Sequence, residues 1–103
     1  MNFKKYINQD ILYIFSANEF EEEHIINMKK VKIIIDNEHL RELSKKEYDG
    51  IYIGDILFFV KSEEFGKLPK VNQVLVFDGI PHTVFDAKNT AGVYEIILQK
   101  NVN

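Results

Sequence analysis

The chain has 103 residues, 46% of them hydrophobic and 13% aromatic, enough apolar mass for a core and, at this length, for one domain spanning residues 1–103. A formal net charge of -3, from 13 Lys plus Arg against 16 Asp plus Glu, argues against a protein held on nucleic acid mainly by phosphate contacts, which need clustered cations. The lack of cysteine excludes a disulfide scaffold, a thiolate zinc site and a thiol nucleophile.

Residues 3–15 place Phe3, Tyr6, Ile7, Ile11, Ile14 and Phe15 at spacings near three and four, the stripe of an amphipathic helix. Short polar side chains at Ser16 and Asn18 compete for backbone hydrogen bonds and should end it. From residue 21 to 36 the β-branched sets Ile25, Ile26 and Val31, Ile33, Ile34, Ile35 flank the polar stretch 27–30, which predicts a β-hairpin. Residues 37–50 carry Glu38, Arg41, Glu42, Lys45, Lys46 and Glu47 with few apolar groups, predicting an exposed loop or short helix capped by Asp36 or Asn37. Asp49-Gly50 and Gly54-Asp55 read as turns, with strands at 51–53 and 56–61. The run 56–60 is so apolar that both its faces should be covered. It is far short of the ~20 residues of a membrane span, and the N-terminus has no signal-peptide core. The chain is therefore expected to be soluble, with no membrane contact.

A loop at 62–70 precedes a strand at 74–77, closed by Asp78-Gly79. This dipeptide between apolar runs is the signature of a type I′ hairpin turn. The return strand 80–85 contains Pro81, which donates no hydrogen bond, so its start should lie at an edge or bulge. A second hairpin has its tip at 88–92, and residues 93–98 return. The sum is a mainly β (α+β) fold: a small antiparallel β-barrel or sandwich of five to six strands, with an N-terminal helix and a long charged loop.

The candidate chemistry is thin. His24, His39 and His82 are too widely spaced for a structural zinc motif. Asp36, Glu38 and His39 crowd together, but acidic and amide residues just before a helical turn more commonly cap it. Ser16, Ser44 and Ser62 have no nucleophile elbow, and the 5 glycines form no phosphate-cradling loop. Phe58 and Phe59 are adjacent and so face opposite sides of a strand, as core residues rather than a base-stacking platform. Glu21, Glu22 and Glu23 precede the basic Lys29, Lys30 and Lys32. They form either a solvated strand with weak cross-strand pairs or a strip that meets its complement on an identical neighbour. No catalytic site, metal or cofactor is expected.

The order of features is more specific than any one of them. Glu19 to His24, Ile33 to Asn37, Leu57 to Lys61 with Pro69, Val76 to Gly79 with Val84, and Gly92 to Leu98 together resemble the small head-to-tail joining proteins of tailed bacteriophages and prophages, the head-completion or stopper proteins of the neck. The match runs over residues 15–100. Two departures stand out: Pro69-Lys70-Val71-Asn72 replaces a pattern like Pro-x-x-Gly, with Asn the next-best residue for positive φ, and His82 stands where relatives often carry tyrosine. The resemblance implies a virion structural protein assembled in the bacterial cytoplasm. It would form a homo-oligomeric ring between the portal or adaptor and the tail terminator or completion protein, touching phage DNA only transiently. It further implies Glu38, Arg41, Glu42, Lys45 and Lys46 as a channel or plug segment projecting from the β core, and Glu21, Glu22, Glu23, Lys29 and Lys30 as the subunit or adaptor interface, with exposed strand edges open to a neighbour. The alternatives are a tail-side ring protein such as a terminator, or a small barrel binding oligonucleotide or carbohydrate.

Overall fold

The computed structural model describes residues 21–101, and the expected helix at 3–15 lies outside them. The strands are β1 (Glu22–Ile26), β2 (Lys29–Ile35), β3 (Ile56–Lys61), β4 (Val74–Phe77), β5 (Ile80–Thr90) and β6 (Val93–Lys100). The helices are α1 (Asn37–Glu47) and a single turn, α2 (Ser62–Phe65). The strands close into an antiparallel barrel in the order β1-β2-β3-β6-β5-β4.

Three tight turns make the hairpins. Asn27-Met28 (φ 51 and 68), Asp78-Gly79 (φ 49 and 83) and Ala91-Gly92 (φ 51 and 85) each put two consecutive residues in the left-handed region, the geometry whose twist matches the flanking strands. The first hairpin thus turns on two residues, not on the whole stretch 27–30. Asn72 has φ 74, as the replacement of glycine by asparagine anticipated.

Period-two alternation sorts the apolar residues into two layers. Ile26, Val31, Ile33, Phe58, Val60, Leu75, Phe77, Val84, Tyr94, Ile96 and Leu98 fill the barrel. Their neighbours Ile34, Leu57, Phe59, Val93 and Ile97 point outward and form a second cluster with Leu40 of α1 and Ile53. Phe58 and Phe59 therefore are both buried, one in each layer, which is why β3 is apolar from Ile56 to Val60. A register shift between Val84 and Asp86 is a β-bulge. It keeps Val84 in the interior and turns Phe85 outward, where it meets Tyr48 edge-on at 5.5 Å.

Three expectations are corrected. Residues 51–53 are not a strand, because their backbone is held by turn and side-chain partners: Ile51 N–H donates to the Tyr48 carbonyl, Ser44 Oγ to the Ile51 carbonyl and Gln99 Nε2 to the Ile53 carbonyl. The second hairpin's strands run to Thr90 and from Val93, leaving only two residues at its tip. The charged segment takes the helical form of the two expected, but it lies on the barrel rather than projecting from it, since Leu40 is 7% exposed and Leu43 packs on the outer apolar cluster. Pro81 stands opposite Val76 at the start of β5, one residue before pairing with β6 begins.

Candidate functional site

The barrel closes at a narrow seam where β1 and β4 share one register pair, Ile26 with Phe77. Two turn residues extend the ladder with their side chains. Asn27 Oδ1 accepts from Val76 N–H at 2.8 Å, and Asp78 Oδ1 accepts from Ile25 N–H at 3.0 Å. Backbone bonds Asn27 N–H to Val76 O and Asp78 N–H to Ile25 O complete the exchange. The other Asp78 oxygen lies 2.6 Å from His24 Nδ1, and the His24 ring stacks on Phe77 at 5.1 Å. The Ile25 N–H holds the Asp78 carboxyl below its ordinary range, against some burial and with help from His24.

The expected interface residues lie along the β1–β2 hairpin. Register places Glu23 opposite Lys32 and Glu22 opposite Ile33, while Lys29 and Lys30 stand opposite Ile26 and Ile25 at the turn. Lys29 and Lys30 are thus at the turn end of the hairpin, away from Glu22 and Glu23, while Lys32 stands at the acidic end. Glu22 Oε2 lies 3.6 Å from His24 Nε2, and Lys29 Nζ donates to the Glu64 carbonyl at 2.7 Å. Lys29 and Lys67 also flank a cavity of about 200 Å³ at the turn end, with Ile26, Val31, Phe65 and Leu75 behind them. Glu21, Glu22, Glu23 and Lys32 line another, of about 380 Å³.

α1 forms because Asp36 caps it, its Oδ1 accepting the His39 N–H at 3.0 Å, the capping role expected of it. Asn37 Oδ1 accepts the Leu57 N–H, tying the helix start to β3. With Leu40 and Leu43 facing the barrel, Glu38, Arg41, Lys45 and Lys46 are exposed and Glu42 is half-buried. Glu38, Arg41, Glu42 and Lys45 fall at spacings that make one stripe. The return of the chain after α1 is pinned at Asp55, which accepts from the Tyr52 hydroxyl at 2.5 Å and from Lys100 N–H at 2.6 Å. Burial pushes the Tyr52 hydroxyl up to about 12, aided by Asp55. The face of α1 toward this return borders a mainly apolar groove of about 290 Å³, floored by Leu40 and Ile53 with Arg41 and Lys45 on its rim.

The three histidines do not converge. His24 belongs to the seam, His82 is buried with Nδ1 2.7 Å from the Ile80 carbonyl and its ring edge-on to Phe77, and His39 sits between α1 and β6. Sequence reasoning missed the cross-seam roles of Asn27 and Asp78, whose partners lie about fifty residues away, and the pairing of His39 with Glu95. It also missed an apolar outer face: among the described residues, Ile25, Val74 and Val76 are exposed on β1 and β4 beside the seam.

No family model matches the chain, and no curated protein matches it. Among solved structures the chain is similar to the crystal structure of the ATP-binding sugar transporter-like protein from Salmonella typhimurium, with 17% identity and a TM-score of 0.50, over 87% of this chain and 84% of that one. That likeness concerns the fold.

Proposed function

We propose that the protein is a structural ring subunit of a phage neck, standing between the portal or adaptor and the tail, closing the DNA exit channel and offering a docking surface to the tail. It works without catalysis or cofactor, and its neighbours are copies of itself, the adaptor above and the tail terminator or completion protein below. The ordered series of motifs suggests the class, and the carrying observation is the charge layout of the β1–β2 hairpin. Strand register holds Glu22 and Glu23 away from Lys29 and Lys30 and sets Lys32 opposite Glu23, so the open end of the hairpin keeps an excess of negative charge and the turn end an excess of positive charge for a neighbour to complement. A contact between different patches of identical subunits is heterologous, and closes into a ring when the rotation per step allows.

Two further features support the reading. The apolar outer face carrying Ile25, Val74 and Val76 offers apolar area to a neighbouring subunit. The exposed stripe of α1, with Glu38, Arg41, Lys45 and Lys46, supplies a charged surface of mixed sign for a channel lining, and the net charge of -3 keeps such a lining from holding DNA that has to pass. The deciding experiment deletes the gene from its prophage, images the induced lysate by electron microscopy and adds the purified protein back. Separate heads and finished tails that join on addition are the expected result, with leaked DNA marking the stopper position. Normal particles without the gene overturn the proposal.

A further inference from the structure

We propose that His39 and Glu95 form a proton-operated latch that tightens α1 on the outer face of the barrel, beyond the apolar packing of Leu40 and Leu43, and loosens it as pH rises. The two side chains face each other across the joint between α1 and β6, His39 Nε2 standing 3.8 Å from Glu95 Oε1, with His39 only 18% and Glu95 16% exposed. At this distance the contact is a long ion pair rather than a tight hydrogen bond. The imidazole lies over Phe59 of β3, ring centroids 6.4 Å apart and planes 24° from parallel.

The groups facing the imidazole are mainly acidic. Glu95 comes from β6, Asp36 from the helix cap and Glu42 from the next turn of α1. Among the described residues, Asp36 Oδ2 and His39 Nδ1 are both buried without a hydrogen-bond partner. β3 contributes the Phe59 ring, with Lys61 two positions further on the same strand. β5 places Lys88 across from Glu95, but Lys88 Nζ lies 3.8 Å from Asp86. A positive imidazole therefore compensates a carboxylate that docking has largely removed from water. A neutral one leaves that carboxylate enclosed without its closest compensating charge, an arrangement that costs free energy until α1 lifts and water returns.

The sign follows from linkage. The facing Glu95 carboxylate, opposed by burial and assisted by the charges of Asp36 and Glu42, raises His39 above its ordinary value of 6.5. The proton therefore favours the docked helix. That stabilisation is full below the ordinary value and is lost as pH rises through the higher docked-state value. The helix carries Arg41, Lys45 and Lys46 on its exposed side, so the latch sets how firmly these cations are held on the barrel.

Amide hydrogen exchange over residues 38–48, corrected for intrinsic rates and taken relative to β3 and β6, tests the latch between pH 5.5 and 8.5. In the wild type the relative protection of α1 is expected to fall with rising pH, by about tenfold for each pKa unit by which docking raises His39. Glu95→Gln, with no buried charge to compensate, should keep protection flat. His39→Gln should give flat, low protection. Wild-type protection of α1 that does not change with pH overturns the proposal, and so does a fall of equal size in Glu95→Gln. A parallel NMR titration of the wild-type His39 imidazole needs no variant to fold: a value at or below the ordinary one overturns the latch by itself.

Discussion

At the scale of single residues, the seam between β1 and β4 depends on two short polar side chains doing the work of missing ladder bonds. Asp78→Ala leaves the Ile25 N–H to water instead of its carboxylate acceptor and frees His24, a loss expected at this exposed site to cost about 0.5–1.5 kcal/mol and to be read from the urea midpoint. Because the carboxyl is held below its ordinary value, led by the Ile25 N–H, this stabilisation is complete above the ordinary carboxylate range. It drains away as pH falls through the lower folded-state value. Asp78→Asn should therefore flatten the acid limb of a stability profile. Met28 is a contrasting case. It is 95% exposed and sits at φ 68 in a turn position that glycine fills without strain. Met28→Gly is expected to stabilise the chain by a few tenths to about 1 kcal/mol in thermal or chemical unfolding, the relief of a left-handed conformation outweighing the flexibility gained by the unfolded chain. Gly54 needs no positive φ, yet a Cβ there would stand 2.6 Å from Ile97 Cγ2 and 2.9 Å from the Leu98 carbonyl. Since that carbonyl belongs to the β6 backbone, Gly54→Ala should destabilise by about 1–3 kcal/mol.

At the scale of elements, α1 covers the outward apolar residues of β2, β3 and β6, so it is part of the fold and cannot be trimmed away. Leu40→Ala should cost about 2–5 kcal/mol in equilibrium unfolding, whereas reversing the exposed Arg41, Lys45 and Lys46 to glutamate should leave stability nearly unchanged. This contrast separates the face that packs from the face available to a partner. The same elements tell how far the sequence could be read. β3 was legible to the residue because its apolar run is unbroken, and β4 with its Asp-Gly turn because the turn chemistry is local. α1 was legible as a capped charged segment, but its length and its seat were not. Only Leu40 and Leu43 mark its buried face, and what they pack on is distant in sequence. Residues 51–53 read as strand because they are apolar and follow a turn; side chains from Ser44 and Gln99 claimed their carbonyls instead.

At the scale of the whole molecule, a closed barrel uses up most strand edges. β1 pairs with β2 along its length but with β4 only at Ile26, so closure leaves the Glu22 to His24 stretch of its second edge outside any described ladder, and the proposed docking has that edge as well as faces and charged ends to use. If the hairpin ends meet between subunits, reversing Glu21, Glu22 and Glu23 to lysine should abolish ring assembly, while circular dichroism and the unfolding midpoint stay close to wild type. A second variant reversing Lys29 and Lys30 to glutamate should restore assembly when mixed with the first. Sedimentation at graded salt, or electron microscopy of rings on connector complexes, reads both outcomes, and assembly unchanged by the first reversal would leave the acidic strip as a solvated face.

The sequence by itself determined the mainly β class, the strand periodicities, the Asp78-Gly79 hairpin turn and the cap of α1, because each depends on side chains within a few residues of one another acting on a short stretch of backbone. It also determined the charge inventory and the absence of thiol chemistry. Only the tertiary structure decided barrel closure, the separation of apolar residues into an inner and an outer layer, the apolar face beside the seam and the meeting of His39 with Glu95. These depend on strand order and shear, which bring together residues far apart in the chain, and no local pattern encodes which distant partner a side chain will find.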